Sequence, residues 1–168
     1  MANLQGQDGS FLVLFKDDLK KEVFMVFRTD YPLWVLSGGG IEPDESPKQA
    51  AIRETFEETG FNSQVVRLVG KYKYLHKCTY LFEGRYISGT YKPEFRGNIG
   101  KWFSVDHLPL DITSSTRRKI SDALCATFDE PFIKTISNEL PLIGNLGLIL
   151  RHPRAFAAFF NKKLRHKK

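Results

Sequence analysis

The sequence predicts an α/β fold, because β-rich segments lie on both sides of a short helix with clear start and stop signals. Apolar residues at helical spacing between Thr116 and Phe128 indicate a second helix. With 168 residues and 42% hydrophobic content, the chain is long enough to bury a substantial core.

The predicted strands are short stretches of apolar, aromatic and β-branched residues separated by polar turns. Two of them come early and are divided by a polar turn at 16–21, and a third leads directly into three glycines. The predicted ranges are 11–15, 22–28, 34–36, 63–74, 78–86 and 101–105.

The first helix is predicted over Pro47–Thr59. Ser46 is a favourable N-cap, Pro47 suits the first helical position, and Gln49 completes a capping box. Gly60 supplies a left-handed stop at the other end. These signals fix both ends of the helix without reference to its packing.

Each helix is expected to present an apolar face to the sheet. In the first helix, Ile52 and Phe56 lie opposite the charged residues and are the expected core anchors. In the second, the expected buried stripe consists of Ile120, Leu124 and Phe128. A sheet between these helices would be covered on both sides.

Three carboxylates share one side of the first helix. At about 100° per residue, Glu54, Glu57 and Glu58 fall within an arc of about 100°, and Arg53 lies at its edge. Like charges about 4 Å apart repel by roughly 4 kcal/mol at an effective dielectric constant near 20. A cation among them would relieve this repulsion, and oxygen ligands without His or Cys suit Mg²⁺ or Mn²⁺.

A solvated acidic helix face is the alternative reading of these glutamates, since charged residues usually lie on the surface. The preceding segment favours a site instead. Gly38, Gly39 and Gly40 follow an apolar strand and precede the capped helix, a more particular construction than an acidic surface requires.

The segment resembles the signature of the Nudix hydrolases: Gly, five residues, Glu, seven residues, then Arg-Glu-U-x-Glu-Glu-x-Gly-U, where U is a bulky apolar residue. One position departs from this pattern, because Thr55 stands where an aliphatic residue is expected. We expect no loss of chemistry there, since the hydroxyl can bond the carbonyl four residues earlier. The matching residues are Gly39, Glu45, Arg53, Glu54, Glu57, Glu58, Gly60 and Phe61.

The resemblance implies an α/β/α sandwich with a mixed β-sheet and a metal-dependent hydrolase. Such an enzyme would cleave a phosphoanhydride bond in a nucleoside triphosphate or a nucleoside diphosphate-linked compound, with Mg²⁺ or Mn²⁺ as cofactor. Catalysis would consist mainly of neutralising charge and positioning a water molecule. Sequence features associated with the ADP-ribose and diadenosine-polyphosphate subgroups are not clearly matched, so the substrate stays open.

By the same resemblance, Glu57 and Glu58 are the principal metal ligands. Glu54 is either a third ligand or the base that takes the proton of the water. The carbonyl of Gly38 is a further candidate ligand, because a glycine loop allows backbone oxygen to approach an ion closely. The resemblance thus places the metal between the helix and the glycine strand.

The supporting residues are also assigned by resemblance. Arg53 would orient the glutamates through a bidentate contact, Glu45 would brace this network, and Gly39 belongs to the glycine turn. Glu94, eight residues before Trp102, is the candidate for an additional acid on a loop. Glu83 lies on a predicted strand and is a weaker candidate.

The positive charge of the chain lies at its C-terminal end. Of the net charge of +6, residues 132–168 supply +7, from eight Lys or Arg and one acid, which leaves −1 for residues 1–131. We therefore expect a hydrolase domain at 1–131 and a basic, partly apolar extension at 132–168. Within it, Phe156, Phe159, Phe160 and Leu164 form one stripe of a predicted basic amphipathic C-terminal helix.

Three contacts stay open for this extension. We expect it to pack on the domain or on a second subunit in a homodimer; the alternative is weak contact of residues 152–168 with an anionic membrane. We do not expect nucleic-acid binding, because the basic run is short and lacks interleaved stacking residues. A polar N-terminus and two cysteines without metal-ligand spacing favour a cytoplasmic protein, with a membrane-peripheral one as the alternative.

Two other functions remain as alternatives to the soluble hydrolase. One is a catalytically silent Nudix-fold module that binds a ligand or regulates a partner. The other is a membrane-peripheral hydrolase of a lipid-linked diphosphate, suggested by the C-terminal stripe alone. The intact charged positions of the Gly39 to Phe61 segment favour catalysis over the silent module.

Overall fold

A mixed β-sheet with one helix against each face forms the fold in the computed structural model, which describes residues 7–29, 32–125 and 130–135. The path of paired strands in this part of the chain is β3-β2-β1-β6-β5-β8, with β4 added beside β1 and β7 beside β2. The β1–β6 and β5–β8 pairs are parallel and the other named pairs are antiparallel. The elements in chain order are β1 Gly9–Phe15, β2 Glu22–Phe27, β3 Trp34–Val35, β4 Gly38–Gly40, α1 Pro47–Thr59, β5 Phe61–Tyr74, β6 Lys77–Gly89, β7 Ile99–Ser104, α2 Ser114–Cys125 and β8 Phe132–Thr135.

Strand β1 shows how the two faces of the sheet are separated. Val13 and Phe15 pack in the cluster that contains Ile120 and Ala123 of α2, whereas Leu12 and Leu14 pack in the cluster that contains Ala51 of α1. Successive side chains of a strand point to opposite faces. The sheet is therefore buried on both sides, which confirms the predicted α/β/α arrangement.

Helix α1 has the predicted ends. Ser46 accepts a hydrogen bond from the Gln49 backbone, the reciprocal bond of the capping box is present, and Gly60 has a φ of 72°. Its buried face differs from the prediction, because Phe56 is 52% exposed. Ala51, Thr55 and Thr59 are buried instead, so Phe56 as a core anchor was wrong; Ile52 packs at the edge of the core.

Helix α2 is buried through Thr116, Ile120 and Ala123. The prediction for Ile120 is confirmed, but Leu124 is 39% exposed and does not anchor the helix. Phe128 lies outside the described residues. The buried stripe is therefore composed of smaller side chains than the sequence pattern suggested.

Strand β8 was not predicted from the sequence. It begins at Phe132 and pairs in parallel with β5, with Gly70 opposite Phe132. The sheet thus extends past residue 131, where the extension was expected to begin. The rest of that extension, with its predicted helix, lies outside the described residues.

No helix in the described ranges is long and apolar enough to cross a membrane. Cys78 and Cys125 are both free thiols, the first half-buried and the second exposed.

Candidate active site

The glycine strand β4 and helix α1 are held together at the N-terminal end of β1. Gly39 pairs with Ser10, and the Ser10 hydroxyl donates to the Pro47 carbonyl at 2.6 Å. A Cβ on Gly39 would clash with the Glu54 carboxylate in its present position. Glycine therefore leaves room for this carboxylate, and a larger residue would force the Glu54 side chain to move.

Arg53 is the centre of a carboxylate network. Its Nε and Nη2 donate to the two oxygens of Glu45, at 3.1 and 2.7 Å. Its Nη1 donates to Glu54 at 3.0 Å and to Glu57 at 2.9 Å, and Nη2 also reaches the Gly40 carbonyl at 3.1 Å. One planar guanidinium thus fixes three carboxylates and the glycine strand in a single geometry.

Glu45 is the bidentate partner of this arginine. The hydrogen bonds from Arg53 and from the Glu42 backbone hold the pKa of the Glu45 carboxyl below its usual value. Its oxygens are therefore occupied by donors from the protein. This is the geometry expected of a residue that braces the network.

Glu58 lies on the buried side of the cluster and makes different contacts. The Gly38 N–H donates to its Oε2 at 3.1 Å. Burial raises the pKa of Glu58 to about 7, and the nearby charges of Glu54 and Glu94 act in the same direction. Negative charge at Glu58 is therefore poorly compensated by the protein itself.

The pKa of Glu54 is also raised, first by burial and then by the charges of Glu57 and Glu94, although Arg53 opposes the shift. Glu94 comes from the loop between β6 and β7, so a segment distant in sequence adds a fourth carboxylate to the region of α1. The structure thus brings Glu94 near the predicted helix glutamates.

The residues fit a hard divalent cation by their chemistry. As they stand, no three His, Cys, Asp or Glu side chains of the described residues enclose a metal position, because Arg53 binds Glu54 and Glu57. The donors nevertheless are all oxygens, and among the described residues no cationic side chain contributes to lowering the pKa of Glu58. The Tyr91 hydroxyl is also buried close to Glu58 without a hydrogen-bond partner, and burial raises its pKa.

A small cleft lies beside this cluster and is lined by residues of β2, β3, α1 and the loop between β6 and β7. Val26 and Val35 supply apolar surface, and Glu58 and Glu94 bring the carboxylate cluster to its wall. The buried side of the carboxylate cluster therefore borders a small cleft in the surface.

Four residues around this site were missed in the sequence: Arg28, Tyr91, Phe95 and Asn98. The last three belong to the segment around Glu94, so that candidate acid was the available signal. Arg28 directly follows the last residue of β2, and nothing in the sequence around it indicated that it would line the cleft. Glu83, the weaker acidic candidate, is buried in salt bridges with Lys20 and Arg67 instead.

Comparison with known proteins agrees with this geometry. A family model described as the NUDIX domain matches residues 7–124. A Bacillus subtilis protein with the provisional name 8-oxo-dGTP diphosphatase is 33% identical over 117 residues, which cover 68% of this chain and 77% of that protein. Diphosphoinositol polyphosphate phosphohydrolase 3-beta of Bos taurus is 42% identical over 60 residues, but these cover only 35% of this chain and 37% of that enzyme.

Solved structures share the fold at low sequence identity. An ADP-ribose pyrophosphatase from Streptococcus suis has a TM-score of 0.61 at 20% identity and covers 77% of this chain and 98% of its own. A NUDIX hydrolase from Nitrosomonas europaea has a TM-score of 0.60 at 19% identity, with 78% and 80% covered. Together with the family match, these findings show that the chain belongs to the NUDIX family and is a pyrophosphohydrolase, as the Gly39 to Phe61 segment predicts.

Proposed function

We propose that this protein hydrolyses a phosphoanhydride bond in a nucleoside triphosphate or a nucleoside diphosphate-linked compound, with Mg²⁺ or Mn²⁺ as cofactor. The observation that carries the proposal is the carboxylate network fixed by Arg53 beside Glu58, whose negative charge is disfavoured by burial and by the nearby carboxylates of Glu54 and Glu94. A diphosphate substrate would also bring negative charge. The carboxylates and the substrate therefore both require a cation in the same place.

Glu57 and Glu58 are the proposed principal ligands of the metal, with Glu54 and the Gly38 carbonyl as further candidates. The bound cation would neutralise phosphoryl oxygens and lower the pKa of a coordinated water. Glu57 is half-exposed and Glu58 largely buried, so the proposed ligands span the edge of the cleft.

The protein's own groups have distinct tasks in this proposal. Arg53 keeps the carboxylates in fixed positions, and Glu45 keeps the plane of its guanidinium in place. Glu54 is the candidate base, because burial raises its pKa and so improves its ability to hold a proton near neutral pH. Glu94 is the second candidate, since it faces the same cleft.

The nucleotide assignment is supported by the Bacillus subtilis protein provisionally named for 8-oxo-dGTP, whose alignment covers 68% of this chain and 77% of that protein. The diphosphoinositol enzymes align over a shorter region, so they support the reaction class more than the substrate. Our proposal therefore places the specificity of this enzyme with nucleotides.

Turnover of a substrate panel tests this function. Nucleoside triphosphates, ADP-ribose, nucleotide sugars, dinucleoside polyphosphates, diphosphoinositol compounds and prenyl diphosphates would each be incubated with the full chain and Mg²⁺ or Mn²⁺. We expect phosphate or diphosphate release from a nucleotide, absent in Glu57→Gln. No release from any compound would favour a silent binding module, and preference for prenyl diphosphates would favour the membrane-peripheral hydrolase.

A further inference from the structure

We propose that Phe95 is the stacking surface for the base of the substrate, so that the loop between β6 and β7 selects nucleotides over other diphosphates. This inference rests on the proposed function and deepens it. Phe95 lines the cleft that Glu58 also lines, yet 58% of its surface is exposed. A large, exposed aromatic side chain beside this cleft is a favourable stacking surface for the flat ring of a base.

The turn that carries Phe95 is held in place by the protein. The Asn98 N–H donates to the Phe95 carbonyl at 3.1 Å, and Gly97 has a φ of 99°, a conformation that glycine adopts without strain. The Asn98 side-chain oxygen also accepts a hydrogen bond from the Thr29 N–H at 3.2 Å. The turn is thus tied to the end of β2, so Phe95 is presented from a fixed backbone position.

The cleft supplies an apolar surface as well as the ring. Val26, on β2, is only 4% exposed, and its partner across the strand pair, Val35, also lines the cleft. Glu58 and Glu94 line the same small space. A base on the exposed side of Phe95 would therefore have its phosphates near the proposed metal ligands.

The charge of the cleft distinguishes this ligand from a polyphosphorylated ring. Of the lining residues that the structure describes, Arg28 is the cationic one, whereas Glu58 and Glu94 are acidic. An inositol ring with phosphates around it would require several cationic partners, and here it would meet two carboxylates. A neutral base with a single phosphate chain, held at the one proposed metal region, places less negative charge beside these carboxylates.

Binding of methylene-bridged analogues, which cannot be hydrolysed at the bridge, tests the inference separately from turnover. Isothermal titration calorimetry with Mg²⁺ would compare a deoxynucleoside triphosphate analogue with the same phosphate chain on a base-free deoxyribose. For Phe95→Ala we expect the dissociation constant of the base-bearing analogue to rise about 10-fold or more, with the base-free one unchanged. Phe95→Trp should restore tight binding, because it retains an aromatic face.

Phe56→Ala is the matched control, since Phe56 is similarly exposed, at 52%, but does not line the cleft. It should leave both dissociation constants unchanged. The inference is overturned if Phe95→Ala affects both analogues equally or neither, or if the wild type binds the two analogues with the same affinity. Base-dependent binding without turnover of the natural nucleotides would instead refute the hydrolase and leave the stacking role of Phe95 standing.

Discussion

Arg53 binds Glu45 through two parallel hydrogen bonds, from Nε at 3.1 Å and from Nη2 at 2.7 Å. The remaining nitrogen, Nη1, contacts Glu54 and Glu57. The guanidinium therefore joins the carboxylate of Glu45, which lies on a loop eight positions earlier in the chain, to two carboxylates of the helix. The position of the site glutamates thus depends on the shape of this side chain as well as on its charge.

Arg53→Lys should lower kcat by about 10- to 100-fold, because an ammonium cannot reproduce the fork and the glutamates would shift. Steady-state kinetics and circular dichroism would separate lost activity from lost folding. Arg85→Lys is the control, since Arg85 also pairs with a carboxylate, its Nη1 donating to both oxygens of Asp18 at the exposed surface. Equal effects of the two substitutions would contradict the role assigned to Arg53.

Glu58→Gln should stabilise the metal-free protein at pH 8 and have little effect at pH 4. The pKa of Glu58 is raised to about 7 in the folded state, above the ordinary value of 4.5. The unfolded carboxyl therefore loses its proton first, and this group's contribution to stability declines as the pH rises from about 4.5 through 7. Glutamine has no such titration and still offers an oxygen to the Gly38 N–H.

Thermal unfolding of both proteins from pH 4 to pH 8 would measure this difference in Tm. A difference that does not grow over this range would show that Glu58 is not destabilised by ionisation. Adding Mg²⁺ at pH 8 should raise the Tm of the wild type and leave that of Glu58→Gln nearly unchanged, because the variant lacks a proposed ligand.

Thr55→Val should retain full activity and change the free energy of unfolding by less than about 1 kcal/mol. The Thr55 hydroxyl is buried and donates to the carbonyl of Ala51, one turn earlier in the same helix, at 2.7 Å. Removing it leaves that carbonyl within the backbone ladder, and valine has nearly the same shape. Chemical denaturation with kinetics checks this; a large loss of turnover would mean that the hydroxyl serves the site.

A chain ending at residue 131 should be less stable than one ending at Asn138. Phe132 covers Gly70, where a Cβ would lie 2.6 Å from its ring, and packs edge-on against Tyr72 at 5.3 Å. The longer truncation product keeps β8 and should therefore unfold at a higher temperature than the shorter one. Equal Tm values for the two truncations would show that β8 contributes nothing measurable.

The same longer truncation tests the membrane contact that is one alternative for residues 152–168. If this segment contacts an anionic membrane, sedimentation with anionic liposomes should capture the full chain and leave the chain ending at Asn138 in the supernatant. Equal recovery of both chains with the liposomes, or of neither, would contradict a membrane role for this segment.

Local signals explain what could be predicted from the sequence. The ends of α1 depend on Ser46, Gln49 and Gly60, which act through neighbouring backbone groups. The side of the helix that carries its glutamates follows from residue spacing alone. These features were correct because no distant part of the chain is needed to specify them.

The misplaced residues depend on tertiary packing. Phe56 is the largest apolar residue of α1, yet close approach of the helix to the sheet buries Ala51 and Thr55 instead. Strand β8 is short and gains its place only by pairing with β5. The cleft residues Phe95 and Asn98 come together through a loop whose path no periodicity describes.

Turnover of the preferred nucleotide, measured against Mg²⁺ concentration for the wild type and Glu57→Gln, tests the central claim most directly. Glu57 is half-exposed, so its replacement should leave the fold and Tm nearly intact. We expect saturable Mg²⁺-dependent hydrolysis by the wild type and turnover that is lower by orders of magnitude in the variant. Hydrolysis that is independent of the metal, or undiminished in folded Glu57→Gln, would contradict it.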